Sequence, residues 1–130
     1  MKIKFLLCLL ICMPGMLFSQ LRIDSLKAAL NSSQPDSSKV KTLIRLSDTY
    51  QAIKPDSSVF FSKQAISLCK KTDNYSGLAD SYNSLGSAYA YAGDNQKSLE
   101  SYNKAFEIAV SLKLEQTMTI SLNNIAYAKE

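Results

Sequence analysis

The sequence predicts an all-α protein made of antiparallel helix hairpins stacked into a solenoid, with about 2.5 repeats after a short lead-in helix. Apolar residues recur three and four positions apart along most of the chain, which is the spacing of one helix face. Only 3 Pro and 4 Gly interrupt 130 residues, so long helices fit. Ala65 and Ala105, like Tyr82 and Leu122, lie 40 positions apart, and such a period is typical of stacked helical units.

Charge and composition argue against two kinds of site. Without Lys2 and Lys4, which belong to an N-terminal targeting segment, 13 basic residues face 11 acidic ones between residues 20 and 130, a net charge of +2. That charge is too small for a nucleic-acid surface, so we expect no nucleic-acid partner. The chain has no His and its carboxylates are scattered. We therefore expect no metal site and no cofactor.

The N-terminus has the pattern of an export signal. Lys2 and Lys4 form a positive region, an apolar run follows, and Pro14-Gly15 is expected to break the helix. We predict a signal peptide over residues 1–19, cleaved after Ser19, and hence an exported bacterial protein that is periplasmic or extracellular. The alternative is a membrane anchor at this segment, although its apolar run is shorter than the ~20 residues of a membrane-spanning helix.

Cysteine usage argues against catalysis. Cys8 and Cys12 are lost with the signal, which leaves Cys69 as the one thiol of the mature chain and excludes an internal disulfide. A cysteine nucleophile needs a base or a positive field, and the chain has no His. Because Cys69 falls on an apolar helical face, we predict a core residue. The sequence shows no nucleophile elbow, phosphate loop or paired-acid motif, so we predict no enzyme.

Two helices with acidic starts are predicted after the lead-in helix. Residues 20–36 form the lead-in helix and a polar loop. The next helix is predicted from residue 37 to residue 53 with Asp36 as its N-cap, and the following one from 56 to 71 with Asp56 in the same role. A carboxylate at the N-cap accepts hydrogen bonds from the free N–H groups of the first turn.

Three further helices complete the pattern. The first is predicted over residues 75–92. Gly93 then tolerates the left-handed turn at its end, and Asp94 caps a helix that runs to about Leu112. The last helix is predicted over residues 115–130.

The hairpin at residues 75–112 carries the clearest packing motif. Its first helix contains Leu85-Gly86 and Tyr89, and its second contains Ser98, Tyr102 and Ala105. Gly86 and Ser98 are small, so we expect them to face each other and let the two backbones approach closely. An earlier copy has Ser47 and Ser58 at the two small positions.

These residues and their spacing resemble a tetratricopeptide repeat (TPR), which has Leu-Gly and Tyr on its first helix, helix A, and Ala, an aromatic residue and Ala on its second, helix B. The resemblance implies a TPR-like domain over residues 37–130, with repeats at 37–72 and 75–112 and a half repeat at 115–130. The period exceeds the family's usual value of about 34 residues. In this it is similar to exported bacterial TPR arrays that precede sensor kinases and transcriptional regulators.

The resemblance also implies a function and a site. In TPR proteins the A helices line a concave groove that binds an extended peptide or a helix of a protein partner. Helical spacing gives the candidate groove residues of this chain: Lys41, Ile44, Arg45, Asp48, Asp80, Asn83, Ser87, Tyr91, Asn123 and Tyr127. Asn83 and Asn123 share a repeat position, so they could form a ladder that holds a peptide backbone. The alternative for each residue is a solvated polar face.

Two further hypotheses concern the whole chain. The first is that it is the extracytoplasmic sensor or input fragment of a membrane-bound signalling protein. The second concerns the last helix, whose apolar residues Met118, Leu122 and Ile125 have no predicted partner helix. Solenoids usually cover such a face with a polar capping helix. We therefore expect either a truncated reading frame or self-association through this helix.

Overall fold

The computed structural model describes the backbone from residue 2 to residue 130 and the side chains from residue 15 onward. Every regular element in that range is an α-helix, which confirms the predicted all-α class. The six helices are α1 (Lys2–Asn31), α2 (Asp36–Tyr50), α3 (Pro55–Lys71), α4 (Tyr75–Tyr91), α5 (Asn95–Ser111) and α6 (Glu115–Lys129).

The helices stack as hairpins. Each helix packs against the next one in the chain, and α2 also contacts α4 while α4 contacts α6. The helices α2, α4 and α6 therefore form one layer, with α3 packed against α2 and α4, and α5 against α4 and α6. Within its described residues, α1 contacts α2. This order of contacts is that of a helical solenoid.

The first helix differs from the prediction. The backbone stays helical through Pro14-Gly15, so the lead-in helix is the C-terminal part of a 30-residue α1. A proline removes one backbone donor, and the strong helix formers on both sides continue the helix across it. The side chains of Lys2, Lys4, Cys8 and Cys12, on which the signal prediction depends, lie outside the described residues.

Two helices, α4 and α5, begin with a side-chain cap, in which a side-chain oxygen accepts a hydrogen bond from a free N–H of the first turn. Asp94 accepts a hydrogen bond from the N–H of Lys97, as predicted, and Asn74 accepts one from the N–H of Gly77. The predictions for Asp36 and Asp56 are wrong, because neither lies at an N-cap and α2 and α3 have no side-chain cap. Pro35 directly precedes α2 and Pro55 is the first residue of α3. Each aspartate therefore falls inside the first turn, where its charge still interacts favourably with the helix dipole.

The connections after α3, α4 and α5 share one geometry. Each contains a residue with positive φ: Asp73 (52°), Gly93 (81°) and Lys113 (54°). In each, the next N–H bonds to a carbonyl five residues back, as from Asp94 to Tyr89. This is the hydrogen bond that ends a helix with a left-handed residue. The left-handed turn predicted at Gly93 is confirmed.

The apolar core has two parts. The larger part joins Val40, Ile66, Cys69, Leu78 and Leu85 across α2, α3 and α4. The smaller part joins Ile23 and Leu26 of α1 to Leu46 of α2. Cys69 is 1% exposed, which confirms that it is a core residue.

The space beside Gly86 is filled by the ring of Tyr102 of α5. A Cβ atom at Gly86 would lie 2.5 Å from two ring carbons of Tyr102, and ring atoms of Tyr102 are its nearest neighbours. Ser98, the expected neighbour, is fully buried, and its hydroxyl has no hydrogen-bond partner. Glycine is therefore required at residue 86 because an aromatic ring occupies the space of a side chain.

Candidate functional site

The layer of α2, α4 and α6 carries an open groove with a volume of ≈ 460 Å³. We call it the α2–α4–α6 groove. Its lining residues come from all three helices and are Lys41, Ile44, Arg45, Asp80, Gln116, Thr117 and Ile120.

Helical spacing explains which side chains reach the groove. On α2, Lys41, Ile44 and Arg45 are three and four residues apart and share one face. On α6, Gln116 and Ile120 are also four residues apart. Asp80 stands between these two walls because α4 packs between α2 and α6.

The α2 wall is positively charged. Lys41 and Arg45 are both exposed. Among the residues with described side chains, the ion pairs are Lys39 with Asp36 and Lys97 with Asp94, so neither groove cation is held by a carboxylate. Both charges are therefore available to a ligand.

The carboxylate of Asp80 places a negative charge in the groove, between the residues of α2 and those of α6. Its Oδ1 accepts a hydrogen bond from the Thr117 hydroxyl at 3.3 Å. Partial withdrawal from water raises the pKa of Asp80 above its usual value, and the hydrogen bond from Thr117 opposes that effect. The bond also ties α4 to α6 across the groove.

Two isoleucines supply the apolar part of the groove. Ile120 is 44% exposed, and Ile44 is half-buried. They lie on α6 and α2, on opposite sides of Asp80 in the layer order. A ligand that covered both would gain hydrophobic contact while its polar groups met Asp80 and the two cations.

Asp48 was predicted as a groove residue, but it belongs to the contact between α2 and α4. Its Oδ1 accepts a hydrogen bond from Ser84 at 3.0 Å. Withdrawal from water raises the pKa of Asp48, while the bond from Ser84 and the positive charge of Arg22 oppose the rise.

The predicted asparagine ladder does not form in this arrangement. Asn83 is 8% exposed, and its Oδ1 accepts a hydrogen bond from Ser121 of α6 at 3.1 Å. Asn123 is exposed. Because Ser121 is small and fully buried, α6 lies close to α4 at this point and Asn83 serves the contact between the two helices.

Three other predicted residues lie away from the groove lining. Ser87 is within hydrogen-bond distance of the Tyr102 hydroxyl, at 3.0 Å, and so faces α5. Tyr91 is 59% exposed and Tyr127 is 80% exposed, and neither lines the groove. Of the ten predicted site residues, the groove brings together Lys41, Ile44, Arg45 and Asp80.

Sequence reasoning missed Gln116 and Thr117. Alignment of the repeats residue by residue pairs Asp80 with Ile120, 40 residues later. Ile120 lies one helical turn beyond Gln116 and Thr117, so the alignment did not indicate these two residues. In the structure the first turn of α6 lies beside Asp80, as the bond from Thr117 shows. The signal that could have found these residues is the polar Gln-Thr pair directly after the start of α6.

Other types of site are not seen in the described residues. A second cavity of ≈ 370 Å³ lies between α1 and α2, and part of its lining, such as Met16 and Ser19, falls in the predicted signal peptide. Among the described side chains, no group of three His, Cys, Asp or Glu residues is arranged to hold a metal ion. Within the described residues, no helix is both long and apolar enough to cross a bilayer.

Comparisons with known proteins give no match: no family model, no curated protein and no solved structure matches this chain.

Proposed function

We propose that this chain is an exported TPR-type interaction module that binds a peptide or a helix of a protein partner in the α2–α4–α6 groove. The proposal depends on one observation above all. The groove combines apolar Ile44 and Ile120 with the unpaired cations Lys41 and Arg45. This mixture of apolar surface and a few polar groups is typical of a recognition site.

The groove also suits a long ligand better than a compact one. It is open and its lining is contributed by three helices, from Lys41 of α2 to Gln116 of α6. Extended peptides and helices bind through side chains distributed along such a surface. A small metabolite needs a more enclosed cavity to bury most of its area.

Binding is a better-supported function than catalysis. Cys69 is 1% exposed. Burial raises the pKa of its thiol, a hydrogen bond with Ser81 opposes this, and the nearby charge of Asp80 adds to the rise. A buried thiol with a raised pKa is a poor nucleophile at neutral pH. We expect slow modification of Cys69 by a thiol reagent in the folded protein, and fast modification would support a catalytic role instead.

Peptide selection followed by quantitative binding tests the groove. A ligand selected from a random peptide library on the intact protein is measured by fluorescence anisotropy against groove variants. We expect Ile44→Glu and the double variant Lys41→Glu/Arg45→Glu each to weaken binding about tenfold or more, which corresponds to about 1.4 kcal/mol.

A matched control uses an exposed apolar residue outside the groove. Phe60 of α3 is 55% exposed and does not line the groove, so Phe60→Glu should leave the affinity unchanged. Equal affinity of the groove variants and the wild type would contradict the proposal, as would failure to select any peptide.

The export part of the proposal is supported by a change from exposed to buried side chains within the described part of α1. Met16, Leu17 and Phe18 are 72–79% exposed, whereas Ile23 and Leu26, beyond the predicted cleavage site after Ser19, are buried against α2. Removal of residues 1–19 would therefore leave that contact intact. Mass spectrometry of the protein from the cell envelope or medium should find Gln20 as the first residue; an intact N-terminus would favour the membrane anchor.

A further inference from the structure

No residue that the structure describes covers the side of α6 that faces away from the groove. Leu122 is 49% exposed, and Ala126 is exposed. The equivalent residues of α2, Leu43 and Ser47, are 4% and 0% exposed, because α3 covers them. The open side of α6 therefore repeats a surface that is buried elsewhere in the same molecule.

Five residues form a continuous line along this side of α6. Glu115, Met118, Leu122, Ile125 and Lys129 follow one another at spacings of 3, 4, 3 and 4, which keeps them on one helix face. We call this line the α6 seam. All five are exposed or half-exposed. The seam is apolar in its middle, acidic at its first residue and basic at its last.

We infer that the α6 seam pairs in the antiparallel direction with the α6 seam of a second copy of this chain, about a two-fold axis at Leu122. Glu115 and Lys129 are each seven residues from Leu122. Antiparallel pairing therefore places Glu115 beside the partner subunit's Lys129, and the two-fold axis repeats this contact at the other end. Met118 then lies beside the partner subunit's Ile125.

Charge decides the direction of pairing. A parallel pair would put Glu115 next to the same acidic residue of its partner and Lys129 next to the same basic one, and like charges across a helix seam are unfavourable. Within the described residues Glu115 and Lys129 form no ion pair, so both are free to pair between subunits. The seam is thus complementary to itself only in the antiparallel direction.

Neighbouring small residues allow the two helices to approach. Thr119 and Ala126 flank Leu122 on the seam side and are both exposed. The groove residues of α6, Gln116, Thr117 and Ile120, lie on a different side of the helix. The dimer therefore keeps both grooves open, and two linked grooves can bind a repetitive or clustered ligand with higher avidity than one.

Oligomeric state in solution tests the inference. Sedimentation equilibrium of the intact chain over a wide concentration range should show a reversible monomer–dimer equilibrium. Leu122→Asp should leave a monomer, because it places two carboxylates at the apolar centre of the pair. Leu122 is half-exposed in the monomer, so this variant should keep its helical circular dichroism spectrum.

Two controls separate the seam from other apolar surface. Tyr127→Asp changes an 80% exposed residue of α6 that lies off the seam, and it should leave the dimer intact. Phe60→Asp changes a 55% exposed residue of α3 and should also have no effect. Dimerisation that is lost in Phe60→Asp and kept in Leu122→Asp would overturn the inference.

Charge reversal tests the direction of the pair. Glu115→Lys and Lys129→Glu should each weaken dimerisation about tenfold, because each replaces two attractive contacts with two repulsive ones. The double variant should restore the wild-type dissociation constant, since it exchanges the charges without changing the pairing. A wild-type monomer at every concentration, or a double variant as weak as the single variants, would overturn the inference.

Discussion

The two complete hairpins, α2–α3 and α4–α5, share one architecture but fill their helix crossing with different chemistry. In the first hairpin the crossing is lined by Ser47, Ser58 and Ser62, all fully buried. Oγ of Ser47 lies 2.9 Å from Oγ of Ser58 and 2.6 Å from Oγ of Ser62. Each buried hydroxyl therefore has a partner, as burial requires.

In the second hairpin the equivalent positions hold Gly86, Ser98 and Tyr102. The ring of Tyr102 fills the space above Gly86, and its hydroxyl bonds to Ser87 at 3.0 Å. Gly86 has no hydroxyl to offer, so Ser98, which is equivalent to Ser58, has no hydrogen-bond partner. The close crossing can therefore be filled by hydroxyls or by an aromatic ring, but a mixture of the two leaves the hydroxyl of Ser98 without a hydrogen bond.

The largest effect is expected when Gly86 of the second hairpin is replaced by serine, the residue that the first hairpin has at the equivalent position, Ser47. Gly86→Ser places a Cβ about 2.5 Å from the Tyr102 ring and should lower the free energy of unfolding by roughly 1–3 kcal/mol, the usual effect of overpacking. Urea denaturation measures the change. Tyr102→Ser should lower the free energy of unfolding less in the Gly86→Ser variant than in the wild type. Additive losses would show that the Tyr102 ring is not what excludes a side chain at residue 86.

Removal of the central hydroxyl of the first hairpin comes next. Ser47→Ala deletes the partner of Ser58 and Ser62 and should lower the free energy of unfolding by about 1–2 kcal/mol, because buried hydroxyls are left with fewer partners. The same urea titration measures it. Thr49→Ala, at a half-exposed residue two positions after Ser47, is the control and should change stability by less than about 0.5 kcal/mol.

The matching change in the second hairpin should have the opposite sign. Ser98→Ala removes a buried hydroxyl that has no partner and should raise the free energy of unfolding by up to about 1 kcal/mol. A shift of the thermal midpoint to higher temperature would show this. A clear loss of stability would mean that Ser98 has a hydrogen bond in solution and that the two crossings are more alike than their contacts indicate.

The smallest effect concerns pH and the carboxylate beside the first crossing. Because the pKa of Asp48 is raised in the folded state, its charged form disfavours folding above that pKa, and this penalty disappears as the pH falls through it. Asp48→Asn keeps the acceptor for Ser84 without the charge. The variant should be slightly more stable than the wild type at neutral pH, with a difference that vanishes in acid.

Asp94 provides a control of opposite sign for the pH experiment. Hydrogen bonds with Lys97 lower the pKa of Asp94, so its charged form favours folding and that stabilisation is lost as the pH falls through the folded-state pKa. Asp94→Asn should therefore be less stable than the wild type at neutral pH. Urea titrations across acidic pH measure both differences, and the same sign for both would contradict the assignment.

The sequence predicted the helices well and their connections less well. The ends of α2 to α6 agree with the predicted ones to within three residues, because apolar spacing and Gly93 mark them. The positive φ angles of Asp73 and Lys113 were not predicted, since glycine is the residue that most strongly indicates such a turn in a sequence. Asp36 and Asp56 were misplaced because α2 and α3 each begin one residue earlier than predicted, at Asp36 and at Pro55.

The candidate site was predicted in part for a related reason. Helical spacing tells which face of a helix a residue occupies, and this was enough to find Lys41, Ile44 and Arg45. It does not tell how closely the next helix approaches. Asn83 was misjudged because the small Ser121 lets α6 come near enough to use its side chain.

Ser84 of α4 reaches across to the first hairpin, where its hydroxyl lies 3.0 Å from that of Ser47. Opening of either hairpin would expose this shared cluster to water and deprive the other of a bonded neighbour. The two hairpins should consequently lose their structure as one cooperative unit, with the slowest-exchanging amides of α2 and α4 reporting the same opening free energy, even though repeat arrays in general can unravel one unit at a time.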